Sequence, residues 1–125
     1  MIGVDTSFLI DFFNGEEDAV KRMEEHKDVV HISENVVYEF MCGNLDNNEV
    51  EKFLGFVSHF PTVSFDRDSA IRSSEILRNQ KRNGTRISHP DTMIAGSYLG
   101  HEVSKIVTGN TSDFENIQDL EVLEY

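Results

Sequence analysis

The chain has 125 residues, 38% of them hydrophobic, which suits one domain spanning 1–125 around a single core. Its net charge of −12, from 23 acidic and 11 basic residues, argues against nucleic-acid binding through bulk charge. No apolar run is long enough for a membrane span, the single cysteine, Cys42, excludes an internal disulfide, and no Cys/His cluster has zinc-ligand spacing.

The start, MIGVDTSFLIDFF, has no basic residue and an early aspartate, so it does not read as a signal peptide, and a reducing cytoplasm is the expected setting. IGV at 2–4 predicts a strand, and Thr6 to Phe13 a helix. A charged, exposed helix fits Glu16 to His26, giving no clear interface of its own. VVHI at 29–32 reads as a strand, and 33–43 as a helix ending at Gly43. Apolar residues at 50, 53, 54 and 57 place a helix within 46–60. TVSF at 62–65 predicts a strand. Residues 66–84 open on aspartates and close on basic residues and Gly84, as the helix dipole prefers. An amphipathic helix is predicted from Ser88 to near Gly100, a strand at 105–109, a short helix over TSDFENI and a terminal strand at 120–125. Strands alternating with helices predict an α/β fold with a mainly parallel central sheet of about five strands. In such sheets, sites form beyond the carboxyl ends of the strands.

Acids stand at those ends. Asp5 is the first polar residue after IGV; it suits an N-cap and equally suits a site. Asp113 follows KIVTGNTS, and Asn110 to Asp113 has cap-to-third-position spacing. Ser88, Pro90 and Asp91 together read as a near capping box. Glu39 lies inside its helix, where capping cannot explain it. At ~100° per residue it falls about 60° from Val36, on the edge of the apolar stripe. Carboxylates that converge repel unless a cation joins them, and oxygen-only ligands suit Mg²⁺ or Mn²⁺.

Four segments carry a resemblance: VDTSFLID, the glutamate of VVYEF, ISHPDTMIAGSYL and VTGNTSDFENIQDLEV. Together they resemble the PIN-domain ribonucleases, above all the compact VapC-type toxins of toxin–antitoxin pairs. The resemblance spans essentially the whole chain and rests most on D-x-x-I-A followed by V-T-x-N-x-x-D-F. It implies a PIN-like fold and an endoribonuclease that cleaves single-stranded or looped RNA with a metal-activated water, leaving a 5′-phosphate and a 3′-hydroxyl. It implies Mg²⁺ or Mn²⁺ held by Asp5, Glu39 and Asp91, with Asp113 or Asn110 at the fourth position and a second ion expected near Asp113. Many relatives carry an aspartate where this chain has Asn110. Thr6, Ser7 and Thr108 are implied as supporting hydroxyls. A small antitoxin protein and a homodimer are the implied partners.

The one basic cluster, RNQKRNGTR at 78–86, offers Arg82 and Arg86 as phosphate contacts beside an otherwise acidic surface. Tyr38, Phe12 and Phe114 are candidates for stacking on bases. Other strand-end aspartate enzymes fit less well. A phosphatase of that kind needs an acid two residues after the first, where Ser7 stands, and a receiver domain needs paired early acids and a late lysine. The dinucleotide-binding G-x-G-x-x-G is absent. A non-toxin RNA-processing nuclease is one alternative, and a PIN-like scaffold that binds RNA or protein with weak or no cleavage, carried by Asn110, is another.

Overall fold

Short runs of Val and Ile build the sheet, and their side chains are buried on both faces, as a covered parallel sheet requires. The computed structural model describes residues 1–125. Its strands are β1 (Ile2–Val4), β2 (Val30–Ser33), β3 (Thr62–Val63), β4 (Lys105–Val107) and β5 (Glu121–Leu123). The sheet order is β3-β2-β1-β4-β5 and every pairing is parallel. Helices α1 (Thr6–Phe13), α2 (Glu17–His26), α3 (Glu34–Met41), α4 (Asn47–Val57), α5 (Arg67–Arg82), α6 (His89–Leu99) and α7 (Thr111–Phe114) connect and flank the strands. The α/β architecture is the one expected. The strand predicted at 62–65 is shorter, because Ser64 and Phe65 leave the sheet before the Asp66 cap of α5.

β1 is central, and chain order runs away from it in both directions. The order reverses between β1 and β4, the switch point at which a crevice forms beyond the carboxyl ends of such strands, here at the turns into α1 and α7. Asp5 follows β1 and Thr108 follows β4 at that crevice.

Helix α6 departs from its amphipathic expectation. Thr92 and the run from Ile94 to Tyr98 are all buried. An amphipathic pattern needs one face in water, and α6 is covered on nearly all sides. The close approach to α5 depends on Gly96, where a Cβ would lie 2.7 Å from the Ser73 backbone. Ser88 caps α6 by accepting the Asp91 N–H at 3.2 Å, with Pro90 in the first turn.

Tyr98 fastens this helix to the sheet. Its buried hydroxyl accepts the Val4 N–H at 3.1 Å and the Ser33 N–H at 3.0 Å, and donates to the Val4 carbonyl at 2.5 Å. The phenol thus joins the carboxyl ends of β1 and β2, directly before Asp5 and α3. Burial pushes its ionisation well above the ordinary tyrosine range, so it is a permanent donor. The Tyr98→Phe variant leaves two buried backbone N–H groups without this acceptor. It should lose about 1–3 kcal/mol, read as a lower denaturant midpoint at unchanged m-value.

Candidate active site

Four carboxylates reach the crevice from separate elements. Asp5 is the N-cap of α1 and is only 4% exposed. Its Oδ1 accepts the Phe8 N–H at 2.9 Å, so the capping role is real. Thr108 Oγ1 donates to its Oδ2 at 2.5 Å, and Ser7 Oγ lies 2.8 and 2.9 Å from its two oxygens. Those hydroxyls are themselves anchored. Ser7 Oγ accepts the Gly109 N–H at 3.0 Å and Thr108 Oγ1 accepts the Asn110 N–H at 2.9 Å. The turn after β4 is thereby tied to the Asp5 carboxylate. A Cβ at Gly109 would meet the Tyr125 hydroxyl at 2.6 Å, so a side chain there would displace that phenol.

Glu39 is half-buried in α3, and Thr6 Oγ1 donates to its Oε1 at 2.6 Å. The two adjacent hydroxyls therefore divide the work: Thr6 holds Glu39 and Ser7 holds Asp5. Asp91 is half-buried in the first turn of α6, and Ser88 Oγ donates to its Oδ2 at 2.8 Å. Asp113 lies in α7 and shares an open groove with Asp91. Asn110 occupies the N-cap position of α7 but makes no side-chain capping bond, so the expected cap is absent. Its backbone serves Thr108 instead.

The electrostatics mark these acids as one group. Burial raises the Asp5 carboxyl above the ordinary value of 3.8, against the hydrogen bonds from Thr108, Phe8 and Ser7, and the Asp91 charge adds to the rise. Asp91 is raised first by burial, then by Asp113 and Glu39. None of the six ion pairs in the chain involves Asp5, Glu39, Asp91 or Asp113, so their charge is uncompensated. No three Asp, Glu, His or Cys side chains close tightly enough to cage an ion unaided. Glu39 and Asp91 each leave one carboxylate oxygen free of protein hydrogen bonds. Spaced, oxygen-only donors of this kind fit a hard cation that retains several waters, Mg²⁺ or Mn²⁺.

The groove at Asp91 and Asp113 is about 490 Å³ and is also lined by Lys81, Thr85, Arg86 and Ser88. Arg86 thus shares the groove with two of the carboxylates. Arg82 lies elsewhere, in a cleft with Arg72, Asn79 and Asp119. Lys81, rather than Arg82, lines the groove with Arg86, and helical spacing carried the signal: Leu77 and Lys81 share one face of α5, while Asn79 and Arg82 share another. A second groove, of about 390 Å³, runs from Glu39 along Ile10, Phe13, Phe40, Leu45 and Phe53. Of the proposed stacking residues, Phe114 is buried, Phe12 packs on Phe13 and Phe56, and Tyr38 is exposed.

Known proteins share this fold. A family model described as "PIN domain" matches residues 2–120. The chain is 28% identical over 95 residues to Ribonuclease VapC3 of Methanocaldococcus jannaschii, covering 76% of this chain and 95% of that one. It is 31% identical over 71 residues to the tRNA(fMet)-specific endonuclease VapC of Salmonella typhimurium, covering 57% of this chain and 53% of that one. Its fold superposes on a chain of the DNA-bound VapBC structure from Salmonella typhimurium with a TM-score of 0.82, at 25% identity, over 98% of this chain and 96% of that one.

A raised carboxylate favours the protonated folded state, so its charged form costs stability at neutral pH. That cost is relieved as pH falls from neutral through the raised value toward 3.8. In metal-free buffer the Asp91→Asn variant should therefore melt above wild type at pH 7. The gap should narrow as pH is lowered, as thermal melts with chelator would record.

Proposed function

The chain belongs to the PIN domain family, and on that premise we propose that it is a Mg²⁺- or Mn²⁺-dependent endoribonuclease, the toxin of a toxin–antitoxin pair. The observation that carries the reading is the set of four carboxylates without a cationic partner at the β1/β4 crevice, beside a groove bearing Lys81 and Arg86. The intact acid set favours cleavage over a binding-only scaffold.

In this reading Asp5, Glu39 and Asp91 hold the divalent ion, directly or through waters, and Asp113 completes the acidic rim. When bound, such an ion acidifies a water and offsets charge gathering on the phosphate. The chain's own residues do the rest. Thr108 and Ser7 fix the Asp5 carboxylate, and Thr6 fixes Glu39, so these acids need little reordering when substrate arrives. Ser88 holds one Asp91 oxygen and leaves Oδ1 to bind or to take up a proton from the attacking water. Lys81 and Arg86 take the flanking phosphates. Attack by water leaves a 5′-phosphate and a 3′-hydroxyl. Single-stranded or looped RNA suits an open groove better than a duplex does.

The antitoxin fits the apolar groove that ends at Glu39. A small protein laying apolar side chains along Phe13, Phe40 and Phe53 could present an arginine to the carboxylates, a charge-assisted pairing that silences the site. The homodimer is part of the same proposal. Exposed apolar side chains are spread over four helices, Ile10 and Phe13 on α1, Val20 on α2, Leu54 on α4 and Ile71 on α5, so they do not single out a dimer face.

The test is cleavage of single-stranded RNA with Mg²⁺ or Mn²⁺. Wild type should cut, and Asp91→Asn should lose on the order of 10²-fold or more, the scale for one electrostatic contributor to a transition state. Equal cutting by the variant would sink the mechanism. Metal that binds only the folded chain should also raise Tm, by about 2.7 kcal/mol of stability at a hundred times Kd. Asp91→Asn should blunt that rise. Removing Lys81 or Arg86 should weaken RNA binding for every sequence alike and reduce the salt slope by about 0.7 each.

A further inference from the structure

Tyr38 is 72% exposed and its ring pairs with no other aromatic ring, whereas Phe12, Phe13, Phe40, Phe53, Phe56 and Phe60 form a connected cluster. The other two tyrosines are committed: Tyr98 to the sheet, and Tyr125 to Asp11 through a 2.5 Å hydrogen bond and to the Phe8 ring. The ring stands in water one residue from Glu39, with only the Cys42 thiol engaging its hydroxyl. Beside it lies a narrow cleft of about 120 Å³, lined by Asn35, Tyr38, Glu39, Pro90 and Met93. It is too small for a drug-sized ligand, which takes roughly 300 Å³ or more. A single planar ring is the better fit.

Its place and its lining narrow the occupant. Glu39 belongs to the acidic set, and Pro90 immediately precedes Asp91. The slot therefore opens on the Glu39 side of the carboxylates, while the groove with Lys81 and Arg86 opens on the Asp91 and Asp113 side. The slot holds a carboxylate and no cation, so it disfavours a phosphate and accepts a neutral ring. Tyr38 supplies an aromatic face, Met93 a polarisable thioether and Pro90 a rigid apolar wall. The Asn35 side-chain amide nitrogen donates to no protein group, although the Ser33 hydroxyl engages its oxygen at 3.4 Å. An amide there can meet the polar edge of a base.

We infer that this slot holds a nucleobase of the RNA strand next to the cleaved phosphate, stacked on Tyr38 and edged by Asn35, Pro90 and Met93. The inference rests on the ribonuclease reading for the identity of the strand. A strand so gripped has a neutral base on one side of the acids and phosphates on the cationic side. That sets its direction across the site.

The test uses the absence of tryptophan from the chain. In Tyr38→Trp the introduced indole is a unique reporter. Its emission should be quenched saturably by a short single-stranded RNA, and much less by the same oligomer with abasic positions or by inorganic phosphate. In cleavage assays Tyr38→Ala should raise KM on the order of tenfold, the effect of losing one base–aromatic stack. kcat should change far less, and Tyr38→Phe should keep the wild-type KM. Melting should be unchanged in all three variants, since the side chain is exposed. Equal quenching by intact and abasic RNA overturns the slot, and so does an unchanged KM in Tyr38→Ala. Emission that shifts on dilution without RNA also overturns it, by marking Tyr38 as a contact between copies. If wild type cleaves no RNA, the ribonuclease reading fails, and base-dependent quenching still decides the slot separately.

Discussion

A buried carboxylate without a counter-cation is the constraint around which the site is built. Asp5 is charged at neutral pH only at a cost, because burial outweighs the hydrogen bonds it receives. Three protein donors answer that cost: the Phe8 N–H and the hydroxyls of Ser7 and Thr108. Each donor comes with a structural commitment. The Phe8 N–H starts α1, Ser7 lies in that first turn, and Thr108 must stand at the end of β4. The β1/β4 pairing, with Val4 opposite Val107, places that strand end beside Asp5. A change in register would leave the carboxylate short of a donor. Strand pairing and site geometry therefore stabilise each other.

The same logic accounts for Tyr98. Val4 and Ser33 end adjacent strands, and each strand leads directly toward a site acid, Asp5 after β1 and Glu39 on α3 after β2. One buried phenol takes N–H groups from both ends and returns a hydrogen bond to the Val4 carbonyl. α6, which carries Asp91 in its first turn, is thereby locked to the two strands that deliver Asp5 and Glu39. Gly96 lets α5 approach α6 closely, and α5 brings Lys81 to the groove. Rigid elements, rather than loops, aim three of the four acids.

The alternation of strands and helices is legible in the sequence because runs such as VVHI and KIVTG stand apart from the charged helices between them. The acids are legible for a different reason. Asp5 and Asp113 stand just past strands, and Glu39 sits where no cap explains it. The pairing of hydroxyls with acids is not legible. Thr6 and Ser7 are adjacent and chemically alike, and only the fold shows that one turns to Glu39, 33 positions away, while the other shares Asp5 with Thr108, 101 positions from Ser7. The basic segment misleads in a related way. Lys81 and Arg82 are neighbours in sequence but about 100° apart on the helix, so they serve different clefts. The α6 pattern misleads because a helix buried on nearly all sides has no polar face to display. Small residues such as Ala95, Gly96 and Ser97 are the better sign of such burial, since they permit close approach by neighbours.

Stability and activity pull this chain in opposite directions at the crevice. Asp91 sits at a helix N-terminus, where the dipole favours its charge, yet half-burial and the charges of Asp113 and Glu39 raise its carboxyl. The fold thus stores repulsion that a divalent ion can relieve. An acidic protein of net charge −12 has little general attraction for RNA, so on the proposed reading affinity rests on local features: a bound cation, the groove lined by Lys81 and Arg86, and the slot beside Tyr38. If the proposed metal site is right, this arrangement makes RNA binding conditional on metal. It also makes the site easy to silence, because one partner arginine placed among the carboxylates satisfies the same unmet charge that the metal would.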